Sequence, residues 1–66
     1  MQRWINRSST LGENPKVDAF LAELVAVCRK HNLSVSHEDY QGGFEVAAFS
    51  EKNVAWLLDA ADATDR

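Results

Sequence analysis

His37, Glu38 and Asp39 stand in a row between the run Leu33-Ser34-Val35-Ser36 and the pair Gly42-Gly43. A histidine beside two carboxylates has the composition of a general acid–base site. Such a site needs a group poised near neutral pH and a partner within hydrogen-bond reach. A second cluster, Cys28-x-x-His31, has the spacing that places both side chains on one helix face. With His37 and Asp39, all four are metal-ligand types. Neither constellation carries its chemistry far. Structural zinc sites show paired Cys or His at fixed spacing, and Cys28 falls on an apolar stripe, where a thiol serves as a small hydrophobe. Alternation along a strand sends His37 and Glu38 to opposite faces. No Ser lies in a Gly-x-Ser-x-Gly setting, and no Gly-rich loop precedes a helix as phosphate binding requires. A chain of 66 residues also has little room for a water-excluding pocket. The expectation is a protein that is not an enzyme and that uses no metal or cofactor.

Two readings of the same run stay open. In the structural one, His37 ends a core face, Asp39 accepts backbone N–H groups within a turn, and Gly42 and Gly43 supply permissive backbone. In the other, Glu38, Asp39, Tyr40 and Gln41 form a ridge beside exposed glycine backbone. Such a ridge could bind an Arg of a partner or the polar groups of a small ligand. The candidate binding residues are therefore His37, Glu38, Asp39, Tyr40, Gln41, Gly42 and Gly43.

The elements that position them follow from pattern. Asn14-Pro15 opens a helix, with Asn as N-cap and Pro at the first helical position. Val17, Phe20, Leu21, Leu24, Val27, Cys28 and His31 recur as one stripe. Asp18 and Glu23 lie towards the helix start and Arg29, Lys30 and His31 in its last turn, as the dipole favours. Asn32 is a reasonable C-terminal cap. If Phe20 is buried, Phe20→Ala should cost about 3–5 kcal/mol. Leu33 to Glu38 alternates, and so does Phe44 to Phe49, which predicts a β-hairpin. Opposed residues share a face, so Val35–Val46 and His37–Phe44 are the pairs that align the apolar sets. That register closes at Glu38–Gly43 around a four-residue loop, with Asp39 and Gly42 suiting the first and fourth positions of a type I turn. Ser50 caps a second helix with the stripe Val54, Leu57, Leu58 and Ala61, fraying after Ala61 because Asp59, Asp62 and Asp65 sit at the wrong end for the dipole.

The predicted class is α+β in the order α-β-β-α: an N-terminal arm or loop over 1–14, a single domain over 15–62 and a frayed end over 63–66. Trp4 and Ile5 are expected to dock on the body or on a partner. A two-stranded hairpin is marginal by itself and leaves unpaired edges. Two copies meeting at a strand edge to make a four-stranded sheet would remedy both, so a homodimer is expected. The alternative is a monomer whose first ten residues supply a third strand. Trp56, large and off its stripe, is the natural interface candidate together with Trp4; its other reading is a lone surface aromatic.

Composition narrows the partners. Ten acidic against seven basic residues leave a formal charge of −3, and only Arg29-Lys30 are adjacent cations. Direct nucleic-acid binding, which needs clustered Lys and Arg, is disfavoured. No apolar run approaches the roughly 20 residues of a membrane span, and Met1 to Arg7 has no apolar core of a signal peptide behind it. The single Cys28 allows no internal disulfide, which fits a reducing cytoplasm.

Three segments together resemble a known group. They are Lys30-His31-Asn32-Leu33-Ser34-Val35-Ser36-His37-Glu38-Asp39, then Gly42-Gly43-Phe44-Glu45-Val46, then Asn53-Val54-Ala55-Trp56-Leu57-Leu58-Asp59-Ala60. They are similar to very small bacteriophage and prophage proteins with a Lys-His-x-Ile/Leu-Ser-Ile/Val-x-His-Glu-Asp stretch, a Gly-Ala/Gly-Phe after a short turn and an Asn-Ile/Val-x-Trp-Leu helix. The resemblance covers about residues 17–61. It implies an accessory phage protein in the cytoplasm of an infected bacterium. Small phage proteins of this kind often act by binding: some inhibit host defence complexes such as CRISPR effectors, others sequester nucleotide signals. The expected function is accordingly non-catalytic binding of a host or phage protein as a counter-defence inhibitor. The alternative is a small-ligand binder, such as a nucleotide sponge, at a dimer seam.

Overall fold

The computed structural model describes residues 1–37 and 42–66. Its elements are β1 (Arg3–Ile5), β2 (Thr10–Gly12), α1 (Pro15–His31), β3 (Leu33–His37), β4 (Phe44–Ala48) and α2 (Glu51–Leu58). They form two antiparallel two-stranded sheets, β1-β2 and β3-β4, with two helices. The class is α+β, as the pattern implied.

Helix α1 starts and stops where its caps dictate. The Asn14 side-chain oxygen accepts from the Lys16 N–H at 3.1 Å, and Pro15 takes the first position. Asn32 ends the helix in the left-handed region, at φ 56°, and its N–H returns to the Arg29 carbonyl. Asn tolerates this conformation better than most residues. The chain then reverses directly into β3. Helix α2 begins at Ser50, whose hydroxyl accepts from the Asn53 N–H at 3.3 Å.

The hairpin has the expected register: Val35 faces Val46 and His37 faces Phe44. Gly42 lies at φ 75°, a conformation that favours glycine. The proposed closing pair Glu38–Gly43 and the ridge Glu38 to Gln41 fall at or within 38–41, outside the described residues.

Three expectations change. Residues 1–14, read as a loop, carry the β1-β2 hairpin, with Trp4 opposite Leu11. It makes its own sheet and does not extend β3-β4 as a third strand. Helix α2 stops at Leu58, short of Ala61, with Asp59 as its C-cap. Finally, only part of the α1 stripe is covered. Leu21 and Cys28 are buried, while Phe20 is 60% and Val27 53% exposed, and His31 is exposed too. Helix α1 packs on α2 and β3, and these two neighbours shield the side of the stripe that carries Leu21 and Cys28.

A polar clamp joins the first hairpin to the end of α2. Helix α2 has no basic residue in its last turn, and its final carbonyls need donors. Arg3 supplies them from β1. Its Nη1 donates to the carbonyls of Leu58 at 2.9 Å and Ala60 at 2.8 Å, and its Nη2 to Asp18 of α1 at 2.6 Å. The Arg3 side chain is 1% exposed. Beside it, the Asp62 N–H donates to the Trp4 carbonyl at 2.7 Å and the Asn6 N–H to the Asp62 carbonyl at 2.9 Å. The Asp62 carboxylate accepts from Asn14 Nδ2, the Thr64 N–H and the Thr64 hydroxyl.

Those donors, with a smaller contribution from Arg7, hold the Asp62 carboxyl down at about 2, against the usual 3.8. Arg3 and the Met1 ammonium lower Asp18 in the same direction. A carboxyl depressed in the fold stabilises the fold above its unfolded value, and that contribution is lost as pH falls through the folded value. Circular dichroism should therefore show stability that is flat from about pH 5 to about pH 8 and declines from about pH 4 towards pH 2. Asp62→Asn should flatten that decline. A low-pH limb as steep as the wild-type one would exclude Asp62 as its source.

Candidate functional site

The register of β3-β4 sets the composition of the sheet's two faces. One carries Ser34, Ser36, Glu45 and Ala47; the other carries Leu33, Val35, His37, Phe44, Val46 and Ala48. On the first face, Ser34 packs against α2. Ser34 is 2% exposed, donates its hydroxyl proton to the Ala48 carbonyl at 2.7 Å and accepts from Asn53 Nδ2 of α2 at 3.0 Å. Just beyond β4, Phe49 lies under the Arg29 guanidinium of α1 at 5.2 Å, and Arg29 pairs with Glu51 at 3.2 Å. These contacts tie Ser34 and the end of β4 to the helices.

The larger apolar side chains are on the other face, and they are open. Phe44 is 79% and Val46 74% exposed, with Leu33 also exposed and Val35 half-buried. The buried apolar residues of the described chain are Leu21, Cys28 and Val54. Two grooves flank β3. One, of about 160 Å³, is lined by Val35, His37 and Phe44 of the hairpin and Asn53, Trp56 and Leu57 of α2. The other, of about 150 Å³, has Val27, Cys28 and His31 of α1 on one wall and Leu33, Val35 and Val46 on the other. Val35 lines both, so the two grooves adjoin. The His37 and Phe44 rings meet edge to face, with centroids 5.6 Å apart.

His37 and Trp56 thus share one cleft. Gly42 and Gly43 are exposed, and a Cβ built on either meets nothing within 4 Å. Trp4 is 47% exposed on β1 and lines neither groove. Glu38, Asp39, Tyr40 and Gln41 lie outside the described residues. Cys28 is buried and His31 exposed, and no group of three or more His, Cys, Asp or Glu among the described residues is placed to hold a metal ion.

Sequence reasoning missed Phe44, Val46 and Leu33 as surface residues. Their alternation signalled one apolar face, and apolar alternation ordinarily marks the covered side. The opposing signal was the size of the side chains on the other face. Ser34 is small enough for α2 to approach closely, and Asn53 reaches its hydroxyl.

The arrangement suits recognition by shape and apolar contact. An uncharged floor of Val35 and Phe44 is walled by Trp56, with His37 and Asn53 as polar groups at its margin. No helix among the described residues is long and apolar enough to cross a membrane. The chain matches no family model, no curated protein and no solved structure.

Proposed function

We propose that this is a small phage-encoded accessory protein that works as a homodimer in the cytoplasm of an infected bacterium. It acts by non-catalytic binding of a host or phage protein, as a counter-defence inhibitor of a host complex. The observation that carries the binding reading is the open apolar surface: Leu33, Phe44 and Val46 on one sheet face with Trp56 on the adjoining helix. Contiguous exposed apolar surface on a small chain marks an interaction site. The phage context rests on the resemblance over residues 17–61.

The size of the cleft favours a protein partner over a small ligand. Sites for small ligands run to about 300–1,000 Å³, and the cleft at His37, Phe44 and Trp56 is about 160 Å³. Within one chain, that space fits a single apolar side chain as an anchor.

The test is affinity capture from infected-host lysate with wild-type protein, Trp56→Ala and the triple variant Glu38→Ala, Asp39→Ala, Tyr40→Ala. One host or phage protein should be held by wild type in fixed stoichiometry and lost from both variants, with their far-ultraviolet spectra unchanged. Equal capture by all three would refute the assigned surface. A releasable small mass in native spectra of the recovered protein would move the assignment to the ligand binder.

A further inference from the structure

The molecule taken singly is too open for its mass. Its accessible surface is 5059 Å², whereas a folded monomer of 7.4 kDa should expose about 4,200 Å². Its radius of gyration is 12.6 Å, against about 10.8 Å for a compact domain of this length. The extents, 35 × 27 × 18 Å, describe a slab. The excess of roughly 850 Å² is close to the about 800 Å² that each partner buries in a standard interface.

Strand β4 shows where a second copy would sit. The Phe49 N–H donates to the Asn32 carbonyl at 3.1 Å, one step beyond the Leu33–Ala48 pair. Opposed residues in an antiparallel pair alternate between exchanging backbone hydrogen bonds and exchanging none. Counting back from Phe49, Ala47 and Glu45 turn their N–H and C=O groups towards β3. Phe44 and Val46 turn theirs to the outer edge, where no further strand pairs among the described residues. Both side chains are three-quarters exposed or more, within rounding.

We propose that β4 pairs antiparallel with β4 of a second copy about a two-fold axis at Val46, giving the sheet order β3-β4-β4-β3. This deepens the homodimer reading above and rests on it. Each Val46 then exchanges both backbone bonds with Val46 of the other copy. The same register sets Phe44 opposite Ala48 and Glu45 opposite Ala47, so the two Glu45 carboxylates are never directly opposed. A closed two-fold contact of this kind satisfies the β4 edge and leaves β3 as the outer strand on each side. It also joins the two apolar faces into one, and Trp56 on α2 takes no part in the strand pairing.

An axis residue meets itself, and that supplies a test. Val46→Glu and Val46→Lys each place like charges against one another across the axis, while a one-to-one mixture places opposite charges there. By sedimentation equilibrium, wild type should run at twice 7.4 kDa, with a thermal midpoint that rises with protein concentration. Each single variant should associate roughly 100-fold more weakly or worse, and the mixture should recover the dimer. If either variant alone loses its far-ultraviolet signal, recovery of that signal on mixing supports the same seam. A wild-type monomer with a concentration-independent midpoint would overturn both the homodimer and the seam. A wild-type dimer whose single variants stay dimeric, or whose mixture fails to recover, would overturn the seam and leave the homodimer standing.

Discussion

Arg3→Ala should lower the free energy of unfolding by about 3–5 kcal/mol, the cost of removing one partner from a buried charged network. A chain of 66 residues commands about 3–10 kcal/mol in total, so the variant should lose a large share of its stability. The effect has two parts. The carbonyls of Leu58, at the end of α2, and of Ala60, just beyond it, lose their donor, and an orphaned buried acceptor costs about 1–3 kcal/mol. Asp18 also loses its partner at 2.6 Å. Arg3→Lys separates charge from geometry, because an ammonium keeps the charge and lacks the planar fork that reaches two elements at once. Urea unfolding at one fixed protein concentration should rank wild type above Arg3→Lys and Arg3→Ala last. Equal stability of Lys and wild type would show that charge alone suffices there.

The second large effect separates two neighbours in α1. Leu21 is 4% exposed and Phe20 60%. Leu21→Ala should cost about 2–5 kcal/mol, through lost transfer energy and a cavity that a tight core cannot close. Phe20→Ala should change stability by no more than about 1 kcal/mol, although phenylalanine is the larger side chain. Urea midpoints measured side by side would check the order. A Phe20→Ala variant as damaged as Leu21→Ala would mean that Phe20 is covered in solution by something the single chain does not supply.

The parts of the fold that were legible in the sequence are those whose signals are local. Asn14-Pro15 and Asn32 bound α1 because capping depends on residues two to four positions away. Ser50 opens α2 for the same reason. The Val35–Val46 register followed from alternation alone, since a slip by one residue would set apolar against polar side chains. The first hairpin was not legible, because strands of three residues, Arg3–Ile5 and Thr10–Gly12, are too short to show a period. Arg3 and Asp62 were not legible as buried anchors either. A charged residue reads as surface until its partners are known, and theirs lie 15 to 57 positions away for Arg3 and 48 for the Asn14–Asp62 bond. The wide α1 stripe failed differently. It marked seven positions able to be buried, and only tertiary contacts decide which of them are.

The same distances bear on how the chain is made. A ribosome delivers Arg3 long before the carbonyls of Leu58 and Ala60 that it holds, which stand 55 and 57 residues further on. During synthesis α1, β3-β4 and the first hairpin can each form from neighbouring sequence, but that hairpin reaches only Asp18 of α1 until the end of α2 is made. Its docking is therefore a late, loop-closing event, and contacts this far apart in sequence are the slow ones. A stalled translation product that withholds residues 58–62 would leave the guanidinium with Asp18 alone as acceptor and α2 without its end cap.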